Sequence, residues 1–219
     1  SGFSVSADFI FGLPYQSFAN WGRTLREAAR CGLDHISLYQ LSLEEGTPWG
    51  SLDEKILGDG YAAYRWAQWY LPRKGYAQYE VANFAKPGRE SRHNINYWRE
   101  GEYFGAGPGA AGYLSGLRYK NFGELRRYAA ELTKGRLPVE EEERLPLEKS
   151  AREAAVLGLR MTSGIDRTAF TERYGEKALD SLTASLRKFP RDLYENDGRG
   201  IRLTRKGLRV ANLIWSEII

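Results

Sequence analysis

The chain of 219 residues holds a single cysteine, Cys31. One thiol excludes an internal disulfide and any metal centre built from several cysteines of this chain. Only two histidines, His35 and His93, are available as imidazole ligands or proton carriers. No apolar run approaches the ~20 residues that a membrane-spanning helix needs. No leader pattern is read at the start, so the expectation is a soluble, cytoplasmic protein. Charge of one sign is also scarce in surplus: a net +4 gives by itself no ground for a nucleic-acid or membrane partner. What is present is ordinary for a globular protein, with 42% hydrophobic and 27% charged residues. The length allows one large domain or two unequal ones.

Against that background the hexad His93-Asn94-Ile95-Asn96-Tyr97-Trp98 stands out. Imidazole ligates metals and moves protons near neutral pH. Asn94 can hold a backbone or side-chain partner, and Tyr97 and Trp98 offer flat apolar faces with polar edges. A histidine among aromatics also serves as a plain hydrogen-bonded structural residue, and the six residues alone leave both readings open. His35, flanked by Asp34 in a strand pattern, reads as structural.

Residues 3–11 alternate, with Phe3, Val5, Ala7, Phe9 and Phe11 on one side and Ser4, Ser6, Asp8 and Ile10 on the other. Gly12-Leu-Pro14 ends that strand. Ser17 caps a helix with Trp21, Leu25, Ala28 and Ala29 at helical spacing, stopped by Gly32. Strand 35–43 follows, and strand–helix–strand with short links predicts a parallel βαβ unit. An aromatic-rich helix over 59–73 and a third strand over 76–84 come next. Gly105 to Gly112 is glycine-dense, which suits either a ligand approach or tight packing. A helix spans 122–134, and 135–144, with its run Glu140–Glu143, reads as a solvated linker. Helices over 147–161, 166–174 and 176–188, a hairpin around Asn196–Gly200, and a last helix 205–218 capped by Thr204 point to a small winged-helix-like domain. The division expected is 1–145 and 146–219.

The ordered motifs Asp8-Phe-Ile-Phe-Gly-Leu-Pro14, His35-Ile-Ser-Leu-Tyr-Gln-Leu41, Tyr79-Glu-Val-Ala-Asn-Phe-Ala85, Ser91-Arg-His-Asn-Ile-Asn-Tyr-Trp98 and Gly105-Ala-Gly-Pro-Gly-Ala110 resemble those of HemW-type heme chaperones. These are relatives of oxygen-independent coproporphyrinogen III oxidase in the radical SAM superfamily. The tail, with Leu159-Arg160, Gly164-Ile165 and Arg202-Leu-Thr-Arg-Lys-Gly-Leu208, resembles that family's C-terminal domain. The resemblance implies an α/β fold: the last part of a partial (β/α)6 barrel followed by the small helical domain. It also implies an S-adenosyl-L-methionine site and a [4Fe–4S] cluster on a Cys-x3-Cys-x2-Cys motif. That motif is not in these residues, so the chain, which opens on Ser1 in mid-pattern, is expected to be a C-terminal fragment.

Carried over residue by residue, Asp8 matches the strand carboxylate that contacts SAM. Ser42 and Ala111 match two further SAM-touching positions. The glycine-rich loop departs from the family at Ala111, where a histidine commonly stands, which removes any role resting on that histidine. The hexad matches the heme-binding element, with His93 as the iron ligand and Asn94, Tyr97 and Trp98 around the porphyrin.

Three functions follow as expectations. The first is a heme chaperone that binds heme and passes it to an acceptor protein. The second is an oxidase-like radical SAM enzyme of porphyrin biosynthesis, without catalytic residues assigned in this chain. The third, remote, is nucleic-acid binding through the basic tail, where Arg187 to Arg209 carries eight Lys/Arg against three acids. Self-association through the exposed edge of strand 3–11 is also expected.

Overall fold

The structure, a computed structural model, describes residues 3–219; Ser1 and Gly2, where the non-methionine start falls, lie outside the described residues. Strand β1 (Ser6–Phe11), helix α1 (Phe18–Arg30) and strand β2 (His35–Gln40) form the expected βαβ unit. β1 and β2 are parallel, with Ser6 opposite His35 and Phe11 opposite Gln40. Ser17 caps α1 by accepting from the Asn20 amide at 3.2 Å, as the sequence predicts. Cys31 caps the C-terminal end of this helix and is exposed, one position beyond the helix body rather than within it.

The alternation of β1 sorts its two faces. Ala7, Phe9 and Phe11 join Ile36, Leu38 and Phe84 in a core closed by α1 and by α2 (Gly60–Tyr70). Trp21 locks the two helices together by donating from Nε1 to the Ala63 carbonyl at 3.0 Å. Ser6, Asp8 and Ile10 face the other way and are exposed.

Strand 76–84 is not continuous. It splits into β3 (Ala77–Gln78) and β4 (Asn83–Ala85), which pair antiparallel with each other, and β4 lies antiparallel to β2, giving the order β1-β2-β4-β3. The break has a physical cause: residues 79–82 leave the sheet to meet the chain at residues 160–162. The Val81 amide donates to the Arg160 carbonyl at 3.0 Å, and the Thr162 amide to the Tyr79 carbonyl at 3.0 Å.

Helix α3 (Arg92–Trp98) carries the hexad. A separate antiparallel sheet follows, built from β5 (Ala111–Leu114), β6 (Leu117–Asn121) and β7 (Val139–Glu143), with α4 (Leu125–Thr133) between β6 and β7. The acidic run is therefore a strand and not a linker. Its carboxylates lie opposite cations of β6, Glu143 across from Arg118 and Glu141 across from Lys120, and such opposite-charge pairs favour the ladder.

The remaining chain is a second core. It comprises α5 (Leu147–Arg160), β8 (Ile165–Asp166), α6 (Arg167–Tyr174), α7 (Glu176–Leu186), β9 (Tyr194–Asn196), β10 (Gly200–Leu203), α8 (Arg205–Leu208) and α9 (Ala211–Ile218). The three short strands pair in the order β8-β10-β9, and Leu159, Leu186, Ile201 and Ile214 are fully buried among the helices. The predicted last helix is broken at Val210, whose φ of −124° leaves the helical region. The kink lets Leu208 and Ala211 both enter the core. Among the described residues no helix is long and apolar enough to cross a membrane.

Candidate functional site

The Ser91 hydroxyl accepts from the Asn94 amide at 3.2 Å and so starts α3. On a helix, residues four apart share a face, so His93 falls with Tyr97 and Asn94 with Trp98. The two pairs do different things. The His93 side chain is exposed, its ring edge-on to Tyr97 with centroids 4.6 Å apart. Tyr97 meets Tyr103 at 4.4 Å, and Tyr103 lies 6.4 Å from Tyr113. Tyr103 and Tyr113 exchange backbone hydrogen bonds at 2.9 Å, which fixes the far end of this row. The result is a ledge of three tyrosine rings leading from one open imidazole.

Trp98 points elsewhere. The Arg160 guanidinium lies 4.2 Å from its ring centroid and 4.9 Å from that of Trp215, and reaches the Glu80 carboxylate at 3.7 Å. Glu80 is fully buried; burial pushes its carboxyl above the usual range, while Arg160 and the Ala82 amide pull it back. Trp98 thus belongs to a joint between the hexad helix and the second core. It also borders a cleft of about 590 Å³ that includes Arg99, Glu100, Phe170, Arg173 and Tyr174. Glu100 closes one side of that cleft, accepting from Tyr174 Oη at 2.8 Å and pairing with Arg173 at 3.3 Å.

The three residues matched to a SAM site are spread out. Asp8 lies in mid-β1 on the exposed face, and no hydrogen bond or ion pair occupies its carboxylate among the described residues. Ser42 is exposed just beyond the C-terminal end of β2, the side of a parallel sheet where ligands bind. Ala111 opens β5 in the other sheet and is exposed. An open carboxylate and a hydroxyl fit the polar groups of a nucleoside. A cluster does not fit: three thiolates are needed, and Cys31 is alone.

The glycine-dense loop packs against its own chain. A Cβ on Gly105 would sit 2.3 Å from the Ala111 carbonyl oxygen, and one on Gly112 would sit 2.2 Å from the Tyr119 ring. Asn121 donates to the Gly105 and Gly107 carbonyls at 3.0 Å each, and the Gly107 amide donates to Tyr128 Oη at 3.1 Å. Tight packing, one of the two alternatives read from the sequence, accounts for this loop.

His35 is buried and bonded through both nitrogens, to Ser6 Oγ at 3.0 Å and to Tyr79 Oη at 2.8 Å. Burial lowers its pKa, and the charges of Asp8 and Glu90 oppose that. Sequence reading finds His35 as structural but misses Tyr79, Glu80, Tyr103 and Arg160. Glu80 alone carries a signal, a carboxylate inside an otherwise apolar strand pattern.

Half of the basic tail is engaged. Arg202 pairs with Glu195 and, at 3.5 Å, with Asp197; Lys206 pairs with Asp192 at 2.8 Å; Lys188 pairs with Glu217. Arg209 Nε donates to Gln68 Oε1 at 2.7 Å. These contacts spend on the protein itself half of the cations that a phosphate backbone would need.

Residues 145–210 match the model of the HemN C-terminal domain family. The heme chaperone HemW of Bacillus subtilis is 31% identical over 224 residues, covering 99% of this chain and 59% of that protein. The heme chaperone HemW of Lactococcus lactis is 33% identical over 231 residues, covering 99% and 58%. The solved structure of coproporphyrinogen III oxidase (HemN) from Escherichia coli, a radical SAM enzyme, superposes with a TM-score of 0.76 at 17% identity, covering 98% of this chain and 54% of that one. That likeness shows the fold, a mixed α/β architecture of the HemN radical SAM kind. The chain spans a little over half the length of the curated relatives it matches. Taken with the order of its motifs, these matches make the chain similar, over nearly its whole length, to the C-terminal part of the HemW heme chaperones, with residues 145–210 matching the HemN C-terminal domain.

Proposed function

We propose that the chain is the heme-holding part of a HemW-type heme chaperone, which binds heme through His93 and passes it to an acceptor protein in the cytoplasm. The observation that carries this reading is the exposed His93 imidazole at the head of the Tyr97–Tyr103–Tyr113 ledge. A ring nitrogen supplies a directional bond to iron, and the tyrosine faces cover apolar porphyrin surface. An open site suits a carrier better than an enzyme, because a carrier has to release its cargo. Trp98 takes a supporting part here: it anchors α3 to the second core while Tyr97 does the stacking, and Asn94 holds the start of the helix. Residues 1–145 would carry the ledge, and 146–219 would brace it as a separate domain.

Titration of hemin into the chain, followed at the Soret band, tests the reading. A saturable shift is expected, with Tyr97→Ala weakening affinity about three- to tenfold through loss of one aromatic contact. A wild-type chain that gives no saturable shift would overturn it.

A SAM site in the longer protein is the finer part of the proposal, with the Asp8 carboxylate accepting from the ribose hydroxyls. Measured in a protein that carries the cluster, Asp8→Ala is expected to weaken SAM by about tenfold or more, the worth of one charge-assisted hydrogen bond. Unchanged affinity in a folded variant removes Asp8 from the site.

β1 is an edge strand of the first sheet, and Val5 just before it and Ile10 on its open face are each 51% accessible. The chain on its own is expected to self-associate there. Ile10→Lys should then shift its light-scattering mass towards the monomer, and a wild type already monomeric would refute the edge contact.

A further inference from the structure

A run of hydrogen bonds leads from the strand that carries Asp8 to the helix that carries His93. Ser6 Oγ, two residues from Asp8 on the same face of β1, meets His35 Nδ1 at 3.0 Å. His35 Nε2 meets Tyr79 Oη at 2.8 Å, and Tyr79 Oη accepts from the Ser91 amide at 3.2 Å. Ser91 is the residue whose hydroxyl accepts from the Asn94 amide and starts α3. We infer that His35 is a positioning residue for His93, acting through Tyr79 on the first turn of the hexad helix.

The donors and acceptors close in one arrangement. Tyr79 Oη already accepts from the Ser91 amide, so its own proton is free to go to His35 Nε2. The imidazole is then neutral, with its proton on Nδ1 and donated to Ser6 Oγ. Every polar group in the run is satisfied, which is what burial at this depth demands. Burial itself favours the neutral ring, holding its pKa below the usual value against Asp8 on β1 and Glu90 beside the helix. A proton added at Nε2 would set two donors face to face, and the tyrosine could keep the Ser91 amide only by turning its own proton away.

The N-terminal turn of α3 has few other restraints. Its body is a short helix of which no residue is buried. His93 lies in that first turn, two residues past the cap, so the direction of its ring follows the turn. Tyr79 in its turn is fixed by its own backbone, which pairs with Asn83 at 3.2 Å and with Thr162 at 3.0 Å. The first turn of the hexad helix therefore takes its bearing from the sheet through one hydroxyl and one imidazole, while Trp98 anchors the last turn to the second core.

The inference rests on heme binding at His93, and two readouts separate it from that reading. The first is amide hydrogen exchange at Ser91 and Asn94, which needs no heme. The second is hemin affinity. In the full chain, Tyr79→Phe should speed exchange at both amides about tenfold, the loss of one buried hydrogen bond, and weaken hemin at least threefold. His35→Leu, which keeps volume but not hydrogen bonding, should do the same. His35→Gln, which can accept from Tyr79 and donate to Ser6, should restore both values. Exchange at Leu25 and Ala28 of α1, in the core against β2, reports the stability of the part that holds His35. Should Tyr79→Phe fail to fold, the milder Ser6→Ala carries the test, with a smaller shift in the same two readouts expected. Altered exchange at Ser91 and Asn94 in a chain that binds no hemin would uphold the tie while removing the heme reading. Wild-type exchange and wild-type hemin affinity in folded Tyr79→Phe, or in Ser6→Ala if that is the variant that folds, would overturn the inference.

Discussion

Arg160→Met is expected to destabilise the chain by about 3–5 kcal/mol, the usual cost of leaving a buried carboxylate without its partner. Glu80 is fully buried, and Arg160 at 3.7 Å is the cation that faces it. Methionine keeps much of the length of the arginine side chain, and what is lost is the cation that lies against the Trp98 and Trp215 rings and faces Glu80. The pH dependence fixes the cause. Burial raises the Glu80 pKa above its unfolded value. A group raised in the folded state contributes stability that is present below its unfolded pKa and lost as pH rises through its folded pKa. Removing Arg160 takes away the main attraction holding that pKa down. The deficit of the variant should therefore be small in mildly acidic buffer and grow towards neutral pH. Denaturant melts at a series of pH values read this directly. The second change Glu80→Gln should recover most of the loss at neutral pH. A deficit independent of pH, or one unmoved by Glu80→Gln, would mean that Arg160 acts by packing alone.

The same joint shows what the sequence hides. Elements whose cause is local are legible in it: the Ser17 and Thr204 caps, the α1 stripe of Trp21, Leu25 and Ala28, and the alternation of β1 all follow from neighbours a few residues away. Elements whose cause is distant are not. Strand 76–84 has an unbroken β pattern, and only the backbone of Arg160 and Thr162, some eighty residues on, explains why it bends at Glu80. The acidic run 139–143 reads as solvated until Arg118 and Lys120 are set opposite it. The hexad is a middle case. Its residues mark themselves by type, but the split between an open His93–Tyr97 face and an anchored Trp98 needs the helical phase of α3 and the place of Arg160. Tyr103 and Tyr113 complete the ledge through a strand bridge that no short-range spacing encodes.

A bond from His93 to iron is what separates a heme carrier from a surface that heme merely sticks to. Exposed heme sticks to many apolar surfaces, so retention alone does not decide the matter, whereas a metal–ligand vibration does. The chain has two histidines, and both nitrogens of His35 are already engaged in the interior. The ferrous heme complex is expected to show an iron–histidine stretching band by resonance Raman that shifts when histidine is labelled with 15N. His93→Ala should abolish the band completely, whatever heme it still retains on the tyrosine ledge. A complex with no iron–histidine band, or a band that survives in His93→Ala, would contradict the account.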